Sequence, residues 1–316
     1  MSRLARRLLP PCAGHALALV LLVLPVTSAF AAPGTIDAAP WWLWPLALFF
    51  VCFALGIVAV PAGVGGGVLF VPIVGGFFPF DLDFVRGAGL LVALASSLAA
   101  TPNLLRTGLA DVRLALPLAL VASVGAVAGA LIGLALPAAA TQVALGVVIL
   151  GIVALMAFSH HAEFPRPPVP RYWGTLGIAG SFRDRASNAD VAWHVHRIPT
   201  GAAAFAVNGF LGGMFGVGAG WANVPTLNLL MGAPLKIAVG TSSLILSLAS
   251  TSAIWTYVNA GAVLPIIVAP AMIGTMLGAR IGAHLLTVLK ATVIRRMVIV
   301  LLLVAGLRAL AKGLGW

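Results

Sequence analysis

Long apolar runs separated by short polar loops follow one another along almost the whole chain. Most approach the length of about 20 residues that spans a bilayer as a helix, so the pattern predicts an all-α polytopic membrane protein. Two runs, 64–79 and 218–232, are shorter. Each is either a full span or one half-helix of a re-entrant hairpin. The predicted segments are 41–61, 64–79, 84–105, 114–136, 140–159, 200–215, 218–232, 237–258, 263–286 and 293–311.

The chain contains two copies of one unit. The stretch from Gly63 to Pro72 returns 153 residues later as Gly216 to Pro225, and the same offset keeps other glycines, a serine and a proline in register without a gap. We therefore predict one transmembrane repeat at 41–159 and a second at 200–312. The further matched pairs are Gly56 with Gly209, Gly87 with Gly240, Ser97 with Ser250, Gly108 with Gly261, Pro117 with Pro270, Gly125 with Gly278 and Gly129 with Gly282.

Residues 1–31 have the pattern of a secretory leader. Arginines at 3, 6 and 7 precede an apolar core at 16–26, and Ala29-Phe30-Ala31 is a small-residue cleavage signal. The sequence predicts a signal peptide cleaved after Ala31, with an uncleaved signal anchor as the alternative. Either form places residue 37 outside the cytoplasm.

The distribution of charge predicts the orientation. With the first segment starting outside, one set of loops carries most of the basic residues and is therefore cytoplasmic, while the opposite loops hold Asp37, Asp81, Asp83 and Arg86. Five segments per copy is an odd number, so the copies face opposite ways as an inverted repeat. The cytoplasmic set is Arg106, Arg113, Arg166, Arg171, Arg183, Arg185, Arg197, Lys236, Lys290, Arg295 and Arg296.

A polar linker at 160–199 joins the copies. It opens with four prolines between 165 and 170, and alternation at 172–183 and 191–197 predicts a small cytoplasmic β-hairpin with Val191, Trp193 and Val195 on one face. This hairpin is expected to be accessory, so that deleting 172–197 spares folding and basal transport. The linker histidines, His160, His161, His194 and His196, lack a ligand spacing and indicate a solvated cluster rather than a metal site.

Composition excludes several classes of protein. Only 8% of residues are charged and 61% are hydrophobic, which rules out an aqueous fold. The net charge of +11 is explained by basic cytoplasmic loops, so nucleic acid is not an expected partner. Cys12 and Cys52 have no disulfide or metal spacing, and we expect no metal and no cofactor.

The predicted spans carry no carboxylate in their interiors. All seven acidic residues fall in loops or at segment ends, which argues against a proton relay or a cation substrate. The helices that restart after Gly67 and Gly220 instead present backbone N–H groups and a positive dipole end, both of which favour an anion. The alternative is that these glycines only allow close helix packing.

The candidate substrate-binding residues follow from this argument. They include the glycines at the two helix interruptions, which we name the first break (Gly65, Gly66 and Gly67) and the second break (Gly218 and Gly220). The others are one asparagine at the position of Phe70 in the other copy, the hydroxyls at the start of one segment, and one arginine inside a segment. Arg280 is either a counter-charge or snorkels to the interface, and the hydroxyls are either ligands or packing groups. The set is Gly65, Gly66, Gly67, Gly218, Gly220, Asn223, Thr241, Ser242, Ser243 and Arg280.

Substitutions separate binding glycines from packing glycines. If Gly67 and Gly220 face a cavity, valine at either position abolishes transport and leaves expression near normal. Gly125 and Gly278 are expected to pack helices, so that substitution there lowers expression instead.

The repeated motifs resemble the sulfite exporter TauE/SafE family. The resemblance rests on Gly63-Val64-Gly65-Gly66-Gly67 and Gly216-Val217-Gly218-Ala219-Gly220, each followed by Val-Pro, and on Gly240-Thr241-Ser242; it covers 41–312. It implies an inner-membrane permease of about eight spans that moves sulfite or an organosulfonate. Gly87-Ala88-Gly89 in the first copy and Ala219 in the second depart from the family pattern.

Together these features predict a secondary permease that exports a small, sulfur-containing oxyanion across the bacterial inner membrane. The expected partners are the lipid bilayer and the anion, and a homo-oligomer is left open. An enzyme is not expected, because no embedded acid pair, His-Glu-x-x-His or Gly-x-Ser-x-Gly occurs. The alternative is a membrane assembly protein that docks partners through the hairpin.

Reporter fusions test the orientation. Residues 37, 82 and 138 should report from outside, and 110, 180 and 290 from the cytoplasm. Phosphatase activity of a fusion at residue 180, which requires export of the reporter, would contradict both the orientation and the inverted repeat.

Overall fold

The computed structural model describes residues 42–59, 65–78, 80–158, 179–184, 189–285 and 291–315. The predicted leader, His160 and His161, the proline run and residues 172–178 lie outside these ranges. Within them the chain forms ten α-helices, one π-helical turn and a two-stranded sheet.

Five helices form the first half. Asp81 begins α3 by accepting the N–H of Asp83, and Asp111 begins α4 by accepting the N–H of Leu114 at 2.8 Å, so each aspartate satisfies a backbone donor that the helix leaves open. The helices are α1 (Leu43–Ala59), α2 (Gly66–Phe77), α3 (Leu82–Arg106), α4 (Val112–Ala135) and α5 (Ala138–Phe158).

The second half has the same order of elements. Adding 153 to the bounds of α3 gives the bounds of α8, Leu235–Asn259, without a residue of difference. The other elements are α6 (Ile198–Phe215), α7 (Gly220–Pro225), a π-helical turn (Thr226–Leu230), α9 (Pro265–Leu285) and α10 (Ala291–Gly313). Every predicted apolar segment therefore contains a helix.

Six of the described helices are long and apolar enough to cross a membrane, and α1 and α2 are shorter apolar helices. Large apolar side chains also cover the outside of the bundle, including Val124 at 74% exposure and Leu120 at 70%. Such a surface is unfavourable in water and suits a lipid environment. The chain is an all-α polytopic membrane protein, as predicted.

Two helical hairpins enter the bundle from opposite ends. In the first, the Trp44 ring at the start of α1 lies 5.9 Å from the Phe78 ring after α2, so α2 returns to the end where α1 began. In the second, the N–H of His196 before α6 donates to the Met231 carbonyl after the π-helical turn at 3.0 Å. We name the two ends of the bundle the Asp81 end and the Trp193 end.

The tips of these hairpins meet where α3 and α8 cross. A Cβ at Gly67 would lie 2.8 Å from the Val217 carbonyl oxygen, and one at Gly66 would lie 3.1 Å from the Val92 side chain in the middle of α3. Both half-length helices therefore begin inside the bundle rather than at its surface.

Glycines bring the outer helices of one half against the other half. Gly125 of α4 abuts the Ala206 backbone of α6, and Gly278 of α9 abuts the Phe53 backbone of α1, with no room for a Cβ at either position. Close backbone approach through small residues is how membrane helices associate. The structure confirms the prediction that these two glycines pack helices.

The β-hairpin consists of β1 (Ala179–Asp184) and β2 (Ala189–His194), paired antiparallel with Gly180 opposite Trp193. Trp193 and Val195 are 7% and 0% exposed, because they pack in one apolar cluster with Ile198, Phe205 and Met231 of the second helical hairpin. This burial argues against an accessory hairpin, and the effect of deleting 172–197 stays a prediction. The alternation correctly placed Trp193 and Val195 on one face, and that face is buried against the helices.

Trp193→Ala should therefore destabilise the bundle. Removing a buried Trp side chain costs about 3–5 kcal/mol, so the variant should unfold at a clearly lower temperature in detergent. Trp255→Ala is the matched control, because Trp255 is 68% exposed on α8. Equal melting temperatures for both variants, measured by thermal loss of the monodisperse peak in size-exclusion chromatography, would contradict the buried role of β2.

Candidate functional site

The two glycine breaks adopt the same backbone conformation and share one neighbour. Gly65 has φ +78° and Gly218, 153 residues later, has φ +69°, a left-handed region that side chains rarely adopt. A Cβ at Gly65 would lie 3.0 Å from Leu246, and one at Gly218 would lie 2.9 Å from the same side chain. The sequence-predicted breaks are therefore brought together around α8.

Gly67 does not face a cavity. A Cβ there would lie 2.7 Å from the Gly89 oxygen and 2.8 Å from the Val217 oxygen, and main-chain atoms cannot turn aside as a flexible side chain can. The expectation that Gly67 faces a cavity is wrong, and we now expect valine there to disturb the packing. Gly220 is buried at the first position of α7.

The first break is closed by hydrogen bonding. The Gly66 N–H donates to Ser96 Oγ at 3.3 Å, and that hydroxyl donates to the Ala93 carbonyl at 2.9 Å. The residue at the matching place in the second half, 153 residues after Ser96, is Ala249, which has no hydroxyl. The two breaks are therefore chemically different.

The second break borders a cavity of about 10 Å³, close to the smallest volume that holds one water molecule. Ser250 is 2% exposed, and its Oγ has no hydrogen-bond partner among the described residues. This hydroxyl can therefore make a further hydrogen bond that the described residues do not supply. The lining residues are Leu90, Ala126, Gly209, Gly212, Gly213, Gly218, Ala219, Ala249 and Ser250.

A polar cluster connects α6 with α7. The Asn208 side-chain amide donates to Asn223 Oδ1 at 3.4 Å and to Thr226 Oγ1 at 3.2 Å. Asn223 is fully buried, and its own Nδ2 has no partner in the described part of the chain. Asn223, which the sequence singled out as a polar group of one half only, therefore lies against Asn208.

The predicted hydroxyls of α8 lie elsewhere. Thr241 Oγ1 accepts the Asp111 N–H at 3.1 Å, and Ser243 donates to the Val239 carbonyl at 3.1 Å. Ser242 is buried in the same turn. Nine residues separate Thr241 from Ser250, about 13 Å along a helix. The contacts of Thr241 and Ser243 support the packing alternative for this stretch.

Arg280 is exposed on the outside of α9, while its neighbours Gly278 and Ala279 are buried toward α1. The structure does not bring it to the cavity. Of the two alternatives, this position agrees with a side chain that snorkels to the interface.

Arg86 is the residue that the sequence misplaced. The charge pattern counts it with the loop residues at the Asp81 end, although the predicted segment 84–105 contains it. It lies in the second turn of α3 and is 1% exposed. Its Nη1 donates to the Gly133 and Met214 carbonyls, and its Nη2 pairs with the Asp83 carboxylate. The three-residue spacing from Asp83 was the available signal for an ion pair on one helix face.

No group of three or more His, Cys, Asp or Glu side chains is placed to hold a metal within the described ranges. His196, outside the spans, has a lowered pKa because partial burial beside the second helical hairpin disfavours its charged form, with Arg197 and His194 adding to the effect. The neutral imidazole is therefore favoured where β2 meets the helices.

Comparison with known proteins gives one family and one curated relative. The model of the family described as Sulfite exporter TauE/SafE matches residues 48–309. A protein of Bacillus subtilis (strain 168), described as Probable membrane transporter protein YunE, is 24% identical over 277 residues, covering 84% of this chain and 98% of that protein. No solved structure gives a significant match.

Gly67→Ala should lower the amount of folded protein. The added methyl group meets two backbone oxygens, and such overpacking costs about 1–3 kcal/mol or more. Gly151→Ala is the control, because nothing lies within 4 Å of a Cβ at that exposed helical position. Fluorescence size-exclusion yields decide the comparison, and equal yields would show that the contact at Gly67 relaxes freely.

Proposed function

The chain belongs to the sulfite exporter TauE/SafE family, and we propose that it is a secondary permease exporting a small oxyanion such as sulfite or an organosulfonate. The proposed location is the bacterial inner membrane, with the lipid bilayer and the anion as partners. The Bacillus subtilis relative is described as a probable membrane transporter, which supports the same class of activity.

The observation that carries the proposal is the cavity between the second break and α8. Gly218 and the Ser250 hydroxyl line this cavity, and Ser250 Oγ, like Asn223 Nδ2 of α7, is unpaired among the described residues. Neutral donors bind an oxyanion without holding it as tightly as a buried cation would, which suits release on the other side of the membrane. The cavity is smaller than sulfite, so binding requires movement of a hairpin tip.

The architecture supports alternating access. Two helical hairpins enter from opposite ends, and elements of the halves correspond at an offset of 153 residues. We infer inverted repeats that place the substrate near mid-membrane and open to either side by movement of one half against the other. A docking protein draws less support, because Trp193 and Val195 of the hairpin are buried in the bundle.

Efflux from proteoliposomes tests the proposal. Purified protein should release radiolabelled sulfite or a simple sulfonate, and Ser250→Ala should raise KM about tenfold, the effect of losing a hydrogen bond to a charged group. The variant should fold normally, since no described residue pairs with that hydroxyl. Ser252→Ala is the control, because its hydroxyl donates to the Leu248 carbonyl within the same helix. Unchanged KM in both variants would exclude Ser250 from the site.

The driving force is a separate prediction. An inside-negative potential contributes about 2.3 kcal/mol per charge per 100 mV to the exit of an anion. No Asp or Glu lies in the middle of a described membrane helix, so no proton relay is expected there. Efflux should therefore accelerate as a potassium-diffusion potential makes the interior more negative. An efflux rate that is independent of the potential but depends on a pH or sodium gradient would contradict transport of the anion alone.

A further inference from the structure

The Arg86 guanidinium is buried with incomplete hydrogen bonding. Nη1 donates to the Gly133 carbonyl at 2.9 Å and to the Met214 carbonyl at 3.2 Å, and Nη2 pairs with Asp83. Its Nε has no partner among the residues that the structure describes. A buried cation with an unused donor can accept another oxygen ligand.

Arg86 lies between the cavity and the Asp81 end. Leu90, one helical turn further along α3, lines the cavity, and so does Gly213, which precedes the Met214 carbonyl that Arg86 binds. On the other side, the Asp83 side chain is 42% exposed. From the cavity toward the Asp81 end, α3 therefore presents Leu90, then Arg86 and then Asp83.

The same arginine holds the tip of the second helical hairpin. Gly216, at φ +70°, packs directly on the Arg86 backbone, while the guanidinium binds Met214 two residues earlier. Tyr257 of α8 adds a second clamp by donating its hydroxyl to the Gly213 carbonyl at 2.9 Å. Movement of this tip has to exchange these contacts for others.

We propose that Arg86 is the anion-contacting gate at the Asp81 end, a role that rests on the proposed function. An oxyanion from the cavity takes the unused Nε and the adjacent Nη2, the two parallel donors on one edge of the guanidinium, and displaces Asp83 from Nη2. The guanidinium turns toward the anion, which loosens its Nη1 contact with Met214 and frees the hairpin tip. Asp83 then takes Nη2 back and displaces the anion outward.

Cysteine labelling tests this gate independently of transport. Ser250→Cys is introduced after Cys12 and Cys52 are replaced by serine and alanine, and intact cells are treated with two impermeant methanethiosulfonates, one bearing a sulfonate and one a trimethylammonium group. Asp83→Asn should raise the rate with the sulfonate reagent about tenfold. Arg86→Gln should lower the ratio of sulfonate to trimethylammonium rates about tenfold, and Arg86→Lys should restore part of it.

A purely structural arginine would change both rates together, and that result, or unchanged ratios, overturns the proposal. If Arg86→Gln fails to fold, the ratios of sulfonate to trimethylammonium labelling rates in Asp83→Asn and Arg86→Lys decide whether the gate exists. The same shifts seen only in inverted vesicles would place the gate on the cytoplasmic side and overturn its role in exit. If the labelling ratios shift but no sulfite efflux is seen, the proposed substrate is rejected and the gate is supported. If sulfite efflux is seen but the labelling ratios do not change, the gate is rejected and the proposed substrate is supported.

Discussion

Backbone contact between two interrupted helices is the constraint on which this structure depends. At Gly67 the main chain of one helical hairpin tip lies against the Val217 carbonyl of the other tip and the Gly89 carbonyl of α3. Lipid tails are as apolar as leucine side chains, so membrane helices associate mainly by close packing rather than by the hydrophobic effect. The absence of a side chain at this contact allows both tips to reach the middle of the bundle.

The two halves match in backbone and differ in chemistry. Ser96 closes the first break, whereas the second break has Ala249 in the corresponding place and the unpaired Ser250 beside it. Arg86 likewise corresponds to Val239 at the offset of 153. The two halves therefore differ in their buried polar groups, with the unpaired Ser250 hydroxyl beside the second break and the Arg86 cation toward the Asp81 end.

The β-hairpin shows how a correct local prediction can misjudge a role. Period-two alternation depends only on neighbouring residues, so it located the strands and the shared face of Trp193 and Val195. Whether that face is exposed to water or packed against helices depends on the tertiary position of β2. Because the chain returns onto Phe205 and Met231, Trp193 and Val195 belong to the apolar core.

The sequence by itself determined the helices and the packing glycines, because hydropathy and glycine spacing act locally. It also located the glycines at which α2 and α7 begin. Only the tertiary structure decided that Gly67 is packed, that Arg280 and Thr241 lie away from the cavity, that Ser250 borders it and that Arg86 is buried against Met214. These properties depend on partners more than 100 residues apart in several cases, such as Arg86 and Met214, whose hydrogen bond no local pattern encodes.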